Sequence, residues 1–394
     1  MSNMRSPDWD PKSAAVLRDQ RAAFDEMRER CPVAYSDLLG WSLFRHEDIV
    51  RVLNDPDTFS SVVSRNLSVP NGMDPPEHGQ YRRIIERYFA PQAMQAFEPQ
   101  CRSIAADLVR SLRGRVALEL MGDFAHPFAV RVQCAFLGWP ASMHEPLRLW
   151  AQKNHAATLA QDRPAMADIA HEFSGYVLGL LQPRRDAGIQ GHQDVIGSLI
   201  SQQVKGRPLN DEEIISILRN WTVGEISTIA AAVGVVAQYL AEHTELQQQL
   251  RTQPTLLPDA IEEILRMYGP LLANRRVTTR TVEIGGRTIN AGERISLNWV
   301  AANRDGLVFT DPQSFRLDRD ASANLLYGAG IHVCPGAPLA RMELRVAVRA
   351  LLDGTTSIDP IAQRPPTSAV HPASGFATLP LHLTFPSQPS THQR

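Results

Sequence analysis

The N-terminal segment of this 394-residue chain lacks an apolar run. Met1 to Ser13 is polar and charged, so neither a signal peptide nor a membrane anchor is expected, and a cytoplasmic location follows. Net charge is nearly absent too. At −2, with a pI near 6.6, the chain offers no general attraction to nucleic acid or an anionic membrane. Cysteine is scarce: Cys31, Cys101, Cys134 and Cys334 stand far apart without a CxxC pair. That suits a reducing compartment better than a disulfide framework. No Pro/Gly/Ser-rich linker, internal repeat, flavin motif or iron–sulfur motif is visible. A hydrophobic content of 43% supports a sizeable core.

What is present centres on Tyr327-Gly328-Ala329-Gly330-Ile331-His332-Val333-Cys334-Pro335-Gly336. Three glycines let the backbone turn tightly and come close to a bulky partner. Helix formers follow from Leu339 to Leu352, so Cys334 lies just ahead of a helix N-terminus. Backbone N–H groups and the helix dipole there favour a thiolate, a ligand for a soft metal.

This run resembles the haem-binding loop of the cytochrome P-450 family, (Phe)-Gly-x-Gly-x-His-x-Cys-x-Gly, with Tyr327 in place of Phe. The resemblance extends from about Ala22 to the end. It implies one mainly α domain with small β-sheets spanning 1–394, residues 1–13 flexible, and a long central helix over the haem. It also implies haem b ligated by Cys334, with Tyr327 and Gly328 in the binding loop and His332 on a propionate. His78 and Arg82, four apart on one helix face, match the family's His-x-x-x-Arg propionate pair, and Arg276 matches its propionate arginine.

The longest helical pattern, Glu212 to His243, is apolar nearly all round and should be buried. Glu225, Ser227 and Thr228 interrupt it. The family carries an acid directly before a threonine here; the threonine hydroxyl holds a water that delivers protons to the oxygen being activated. In this chain Thr228 stands at the threonine position but Ser227 replaces the acid. Glu225, one turn away, is the candidate relay carboxylate. The surrounding run resembles the branch often fused to its own reductase. Upstream of the cysteine loop, Glu263-x-x-Arg266 resembles the family's buried pair that holds that loop. Its third member is open between Arg319 and Asn303, because Ser314 stands where arginine is frequent.

The loop Phe59 to Gly72 is expected to be mobile and, by resemblance, to cover the pocket through Val62, Val63, Leu67 and Val69. Ile226, Leu271, Leu272, Asn274 and Phe376 complete the expected pocket, and Trp150, His155 and Leu159 of a helical lid are further candidates. Helices are expected at Ala14–Arg30, His46–Leu53, Ala93–Arg113, Phe124–Leu137, Met143–Leu159, Ala165–Leu181, His192–Leu199 and Ala301–Asp305. Strands are expected at Val33–Tyr35, Gly40–Phe44, Val116–Leu120 and Ile295–Val300, a hairpin at Val282–Ile289, and a last strand pair near Leu379–Phe385.

The reading is a haem monooxygenase that inserts one oxygen atom into a small hydrophobic or aromatic substrate, by hydroxylation or oxidative dealkylation. Electrons would come from a ferredoxin or flavodoxin with its reductase, docking near Arg83 and Arg87. The alternatives are a peroxide-driven peroxygenase and a non-catalytic haem-binding sensor.

Overall fold

The computed structural model describes residues 6–115, 118–188, 194–369 and 373–387. The expected strand residues Val116 and Ala117 and the expected helix residues His192 and Gln193 lie outside these.

The single helix expected over Ala14–Arg30 is two, α1 (Ala14–Arg18) and α2 (Gln20–Arg30). Asp19 separates them in an extended conformation, and its carboxylate caps α2 at the N–H groups of Arg21 and Ala22, both 3.1 Å. Two residues ahead of α1 are tied down, where flexibility is expected. Asp8 exchanges hydrogen bonds with Tyr35, and Trp9 is buried edge-on to Phe24 and Phe44. β1 (Val33–Ser36) and β2 (Gly40–Leu43) form a hairpin, followed by α3 (His46–Leu53) and the short β3 (Phe59–Ser60).

Next come α4 (Glu77–Glu86), α5 (Pro91–Ser111), β4 (Leu118–Glu119) and α6 (His126–Leu137), the last entered through a π turn at Met121–Ala125. α7 (His144–Ala160) and α8 (Arg163–Asp186) are the expected helix pair, broken at Gln161-Asp162, where Asp162 caps α8. Trp150 does not face a pocket. It is 2% exposed, donates to the Ile169 carbonyl at 2.9 Å and packs on Phe173, fastening α7 to α8. α9 (Val195–Ile200) and the β5 (Gln203–Val204)/β6 (Arg207–Pro208) hairpin lead into α10 (Asp211–Glu242).

At 32 residues α10 is the helical axis of the molecule. Among the described residues it alone is long and apolar enough to cross a membrane, but 72% of its most apolar window is buried in the core. Asn210 and Glu213 form a reciprocal capping box at its start. Burial pushes the Glu213 carboxyl up, but Arg207, Tyr81 and the Asn210 N–H outweigh this and hold it at about 2, below its ordinary 4.5. A folded-state value below the unfolded one adds stability above the unfolded value, and that stability is lost as pH falls through the folded value. Glu213→Gln is therefore expected to lower stability at neutral pH, with the gap to wild type closing as pH falls from about 4.5 towards 2. Denaturant titrations across that window check this; a pH-independent gap contradicts it.

After α10 come α11 (Thr244–Thr252), α12 (Leu257–Tyr268), β7 (Ala273–Thr278), the β8 (Val282–Ile284)/β9 (Arg287–Ile289) hairpin and β10 (Arg294–Asn298). The strand expected to reach Val300 stops at Asn298. Trp299 and Ala302 must both turn into the core, so the short helix α13 (Trp299–Ala302) begins two residues earlier than expected. The chain closes with α14 (Ala337–Gly354), β11 (Ser357–Pro360), β12 (Thr367–Ser368), β13 (Phe376–Thr378) and β14 (Pro380–Thr384).

The larger sheet runs β1-β2-β10-β7-β3, antiparallel except where β10 pairs with β2. A smaller sheet runs β11-β14-β4, so β14 pairs with two distant strands rather than closing a hairpin. The main core gathers α5, α6, α10, α12 and α14, and a second apolar cluster lies under the larger sheet. The cysteine loop sits between these two bodies.

Candidate active site

The cysteine loop is shaped by two glycines with positive φ, Gly328 (71°) and Gly330 (68°). A Cβ on Gly330 would run into the Leu53 carbonyl, so only glycine fits there. The Cys334 N–H donates to the Tyr327 carbonyl at 2.9 Å, closing the loop. Burial pushes the Cys334 thiol up, while N–H groups of Gly336 and Ala337, at the start of α14, pull it down. Cys334 alone among the cysteines opens onto a cavity; Cys101 and Cys134 are fully buried, and Cys31 lies elsewhere. The Tyr327 ring carries the Arg341 guanidinium 4.4 Å from its centroid.

The loop is fixed from behind by a buried ion cluster. Arg266 grips Glu263 with two hydrogen bonds, 2.7 and 2.9 Å, and Arg319 donates to the same carboxylate at 2.8 Å. Arg266 also donates to the Asn303 carbonyl at 2.6 Å, and the Asn303 side chain accepts the Leu325 N–H at 2.8 Å. The open third position is thus filled twice: Arg319 completes the ion cluster, and Asn303 carries it to the residues leading into Tyr327.

On the cavity wall four basic groups converge. His78 and His332 lie with ring centroids 4.2 Å apart, each with a buried Nε2 that has no partner. Arg276 is 8% exposed and spends one N–H on the Arg275 carbonyl at 2.8 Å. Arg82 donates to the Val333 carbonyl at 2.6 Å and pairs with Glu86. Burial, then the charges of His78 and Arg276, force His332 down to about 3. Burial likewise lowers His78 and Arg276. A second acid near the histidines, Asp74, is occupied by Ser60 and the Ser61 N–H. Two unpartnered ring nitrogens beside two guanidiniums with N–H groups to spare make a cradle for an anion.

The cavity measures about 670 Å³ and runs from Cys334 and this cradle along one face of α10. Gly224, Glu225, Thr228, Ile229 and Ala232 line it; Thr228 donates its hydroxyl to the Gly224 carbonyl one turn back. Two of the expected α10 residues lie off it: Ser227 is exposed, and Ile226 is buried in the core at 2%. Of the four apolar loop residues expected in the pocket, only Val63 reaches the cavity. Val69 is fully buried with its N–H on Ser216, and Val62 and Leu67 face out. The loop's polar residues Ser61, Ser64, Asn66, Ser68 and Asn71 line the cavity instead. Leu271 and Asn274 line it as expected. Leu272 points into the separate cluster around Phe44, because successive residues of an extended chain face opposite ways. Phe376 packs on the main core, His155 and Leu159 stay off the cavity, and Thr158 takes their place.

Sequence reasoning passed over Gln133 and Phe136 on α6, Asn220 and Trp221 on α10, and Arg275. It also passed over Glu343 on α14, whose carboxyl meets that of Glu225. The signal for Glu343 was available: it interrupts the apolar stripe Leu339, Met342, Val346, Ala347 that faces the core.

The cytochrome P450 family profile matches residues 142–381 of this chain. The chain belongs to the cytochrome P450 family. Cyclomarin C epoxidase of Salinispora arenicola is 33% identical to this P450 over 85% of the chain and 88% of that protein. Erythromycin C-12 hydroxylase of Saccharopolyspora erythraea is 31% identical, with the same coverage on both sides. The crystal structure of CYP109E1 from Bacillus megaterium in complex with testosterone superimposes with a TM-score of 0.83, at 26% identity, over 92% of this chain and 99% of that one. The chain is thus a haem-dependent monooxygenase. It carries haem b on a cysteine thiolate and uses dioxygen, a small-molecule substrate and redox partners. The residues present fit that cofactor: a thiol opening onto the cavity, a glycine-lined approach, and a cradle of basic groups, two of them with an unpartnered ring nitrogen, for two propionates.

Proposed function

We propose that this P450 oxidises a mainly hydrophobic or aromatic small molecule bearing neutral polar groups, with electrons from a separate ferredoxin or flavodoxin and its reductase. One observation supports this most: a single cavity joins the cysteine and the cationic cradle to the Thr228 face of α10 and to the polar pocket loop. Cys334 binds the iron, Gly328 and Tyr327 shape its loop, and His78, Arg82, Arg276 and His332 hold the propionates. Haem supplies the binding and reductive activation of dioxygen. The protein supplies the rest.

Phe136, Trp221, Val63 and Leu271 offer apolar surface, while Asn66, Asn220, Asn274 and Gln133 can orient carbonyl or hydroxyl groups. The named activities of the relatives, epoxidation of cyclomarin C and C-12 hydroxylation of erythromycin, suit such a mixed lining. Compounds that fit should shift the haem spectrum from low to high spin and be turned over with surrogate partners. A screen in which spin-shifting compounds of this class give no oxygenated product overturns the reading.

Thr228 holds a cavity water through the hydroxyl lone pairs left free by its bond to Gly224, and Glu225 passes it protons. Thr228→Ala and Glu225→Gln are each expected to divert electrons to peroxide and to cut product formation about tenfold or more. Product and peroxide counted per NADPH consumed check this; unchanged coupling in both contradicts it.

Arg83 and Arg87 are exposed on the segment that leads from the cradle, and among the described residues neither has an ion-pair partner. We assign them to docking the acidic face of the electron donor. Charge reversal at both should slow reduction and flatten its salt dependence. Unaltered reduction rates at low salt contradict this.

A further inference from the structure

Three glutamates are almost fully buried among the described residues: Glu213, Glu263 and Glu343. Arginine neutralises the first two, Arg207 on Glu213 and Arg266 with Arg319 on Glu263. Glu343 is the most buried, at 0% exposure, and has no cation. Neither of its oxygens meets an N–H or a hydroxyl. The group it meets is another carboxyl, that of Glu225 across the contact between α14 and α10. Glu225 Oε1 is buried and equally without a donor.

Two carboxyls bond to each other only when one carries a proton. Two carboxylates held together away from water repel, so the second ionisation is deferred far past the first. Burial and then the Glu225 charge push Glu343 well above its ordinary value, and burial raises Glu225. The other ionisable groups facing the pair do not relieve it. Cys101 on α5 is a neutral thiol pushed up to about 12, chiefly by burial, and Cys334 lies across the cavity. The nearby guanidiniums of Arg102 and Arg345 are both engaged by Glu98.

We propose that Glu225 and Glu343 share one proton and work as a unit, with Glu343 in the core storing the proton that Glu225 hands to cavity water beside Thr228. This rests on the reading of Glu225 as a proton donor. The transfer breaks one carboxyl O–H bond and forms an O–H bond on the water. The carboxylate left behind is reprotonated from solvent through the open cavity, so no oxidant or reductant is consumed. The pair does from two helices what an acid at position 227 would do from one.

The test is infrared spectroscopy of the resting ferric holoenzyme in H2O and D2O, with coupling measured on the same samples. Wild type should show one buried protonated carboxyl band that shifts in D2O. Glu343→Gln should abolish it, because the new amide donates to Glu225 and leaves it ionised. Glu343→Gln should also raise peroxide per NADPH about threefold or more. The double variant with Glu225→Gln should be no worse than either single change, as for residues acting as one. No such band in wild type, or normal coupling in Glu343→Gln, overturns the proposal. If Glu225→Gln uncouples turnover and Glu343→Gln does not, the Glu225 reading survives and the shared proton fails. If Glu225→Gln couples normally, both fail. Should Glu343→Gln not take up haem, Glu225→Gln and Glu225→Asp decide at the cavity end. A carboxyl band lost in the first and shifted in the second supports the pair; an unmoved band overturns it.

Discussion

Cys334→Ser is expected to leave a protein that folds, takes up haem weakly and forms no product above background. The loop geometry does not depend on sulfur: Gly328, Gly330 and the Cys334 N–H bond to Tyr327 persist in the variant. What is lost is the soft, electron-donating ligand. Gly336 and Ala337 aim N–H groups at the sulfur and help it bear negative charge. A serine hydroxyl is far less acidic and harder, so it neither competes for the iron nor pushes electron density towards O–O cleavage. Turnover with a spin-shifting substrate and a surrogate reductase system checks this. Oxygenated product at a rate comparable to wild type contradicts it.

The largest structural effect is expected from Glu263→Gln. The change removes the carboxylate that Arg266 and Arg319 both pair with, and their side chains are 1% and 9% exposed. Breaking a buried pair by removing one partner leaves an uncompensated charge and costs roughly 3–5 kcal/mol. Here the damage also travels. Arg266 loses the anchor that aims it at the Asn303 carbonyl, and Asn303 holds the Leu325 N–H just ahead of the cysteine loop. Glu263→Gln should therefore yield little soluble protein, with a lower unfolding midpoint and faster haem loss than wild type. Glu262→Gln is the control: it alters a half-exposed pair with Arg341 and should cost about 1 kcal/mol or less. Equal stability of the two variants contradicts the account.

How far the sequence reached can be judged from particular residues. The cysteine loop was legible because its chemistry is local: spacing, glycine conformation and a helix start all lie within ten residues. The long helix was legible because an apolar pattern over 32 residues has no other solution. Glu263 and Arg266 were readable as a pair, but the third member was not, since Arg319 and Asn303 arrive from segments whose mutual placement only the fold sets. The pocket wall was read least well. In the 59–72 loop apolar character suggested Val62, Leu67 and Val69, yet an irregular segment has no period from which to tell inside from outside. Polar side chains of that loop face the cavity instead. At the N-terminus helical periodicity ran through Asp19, where a capping carboxylate overrode it. Glu343 was missed for a different reason: an acid in an apolar stripe reads as an exception until the facing carboxyl of Glu225 is seen.

The roles assigned in oxygen chemistry all rest on sulfur ligation at position 334, and the reduced enzyme under carbon monoxide reports on it directly. The wild-type spectrum should show a Soret band shifted far to the red, as thiolate ligation requires, and Cys334→Ser should show the band of an ordinary haem protein. A wild-type adduct without the red shift, or a serine variant that keeps it, would contradict the account at its base.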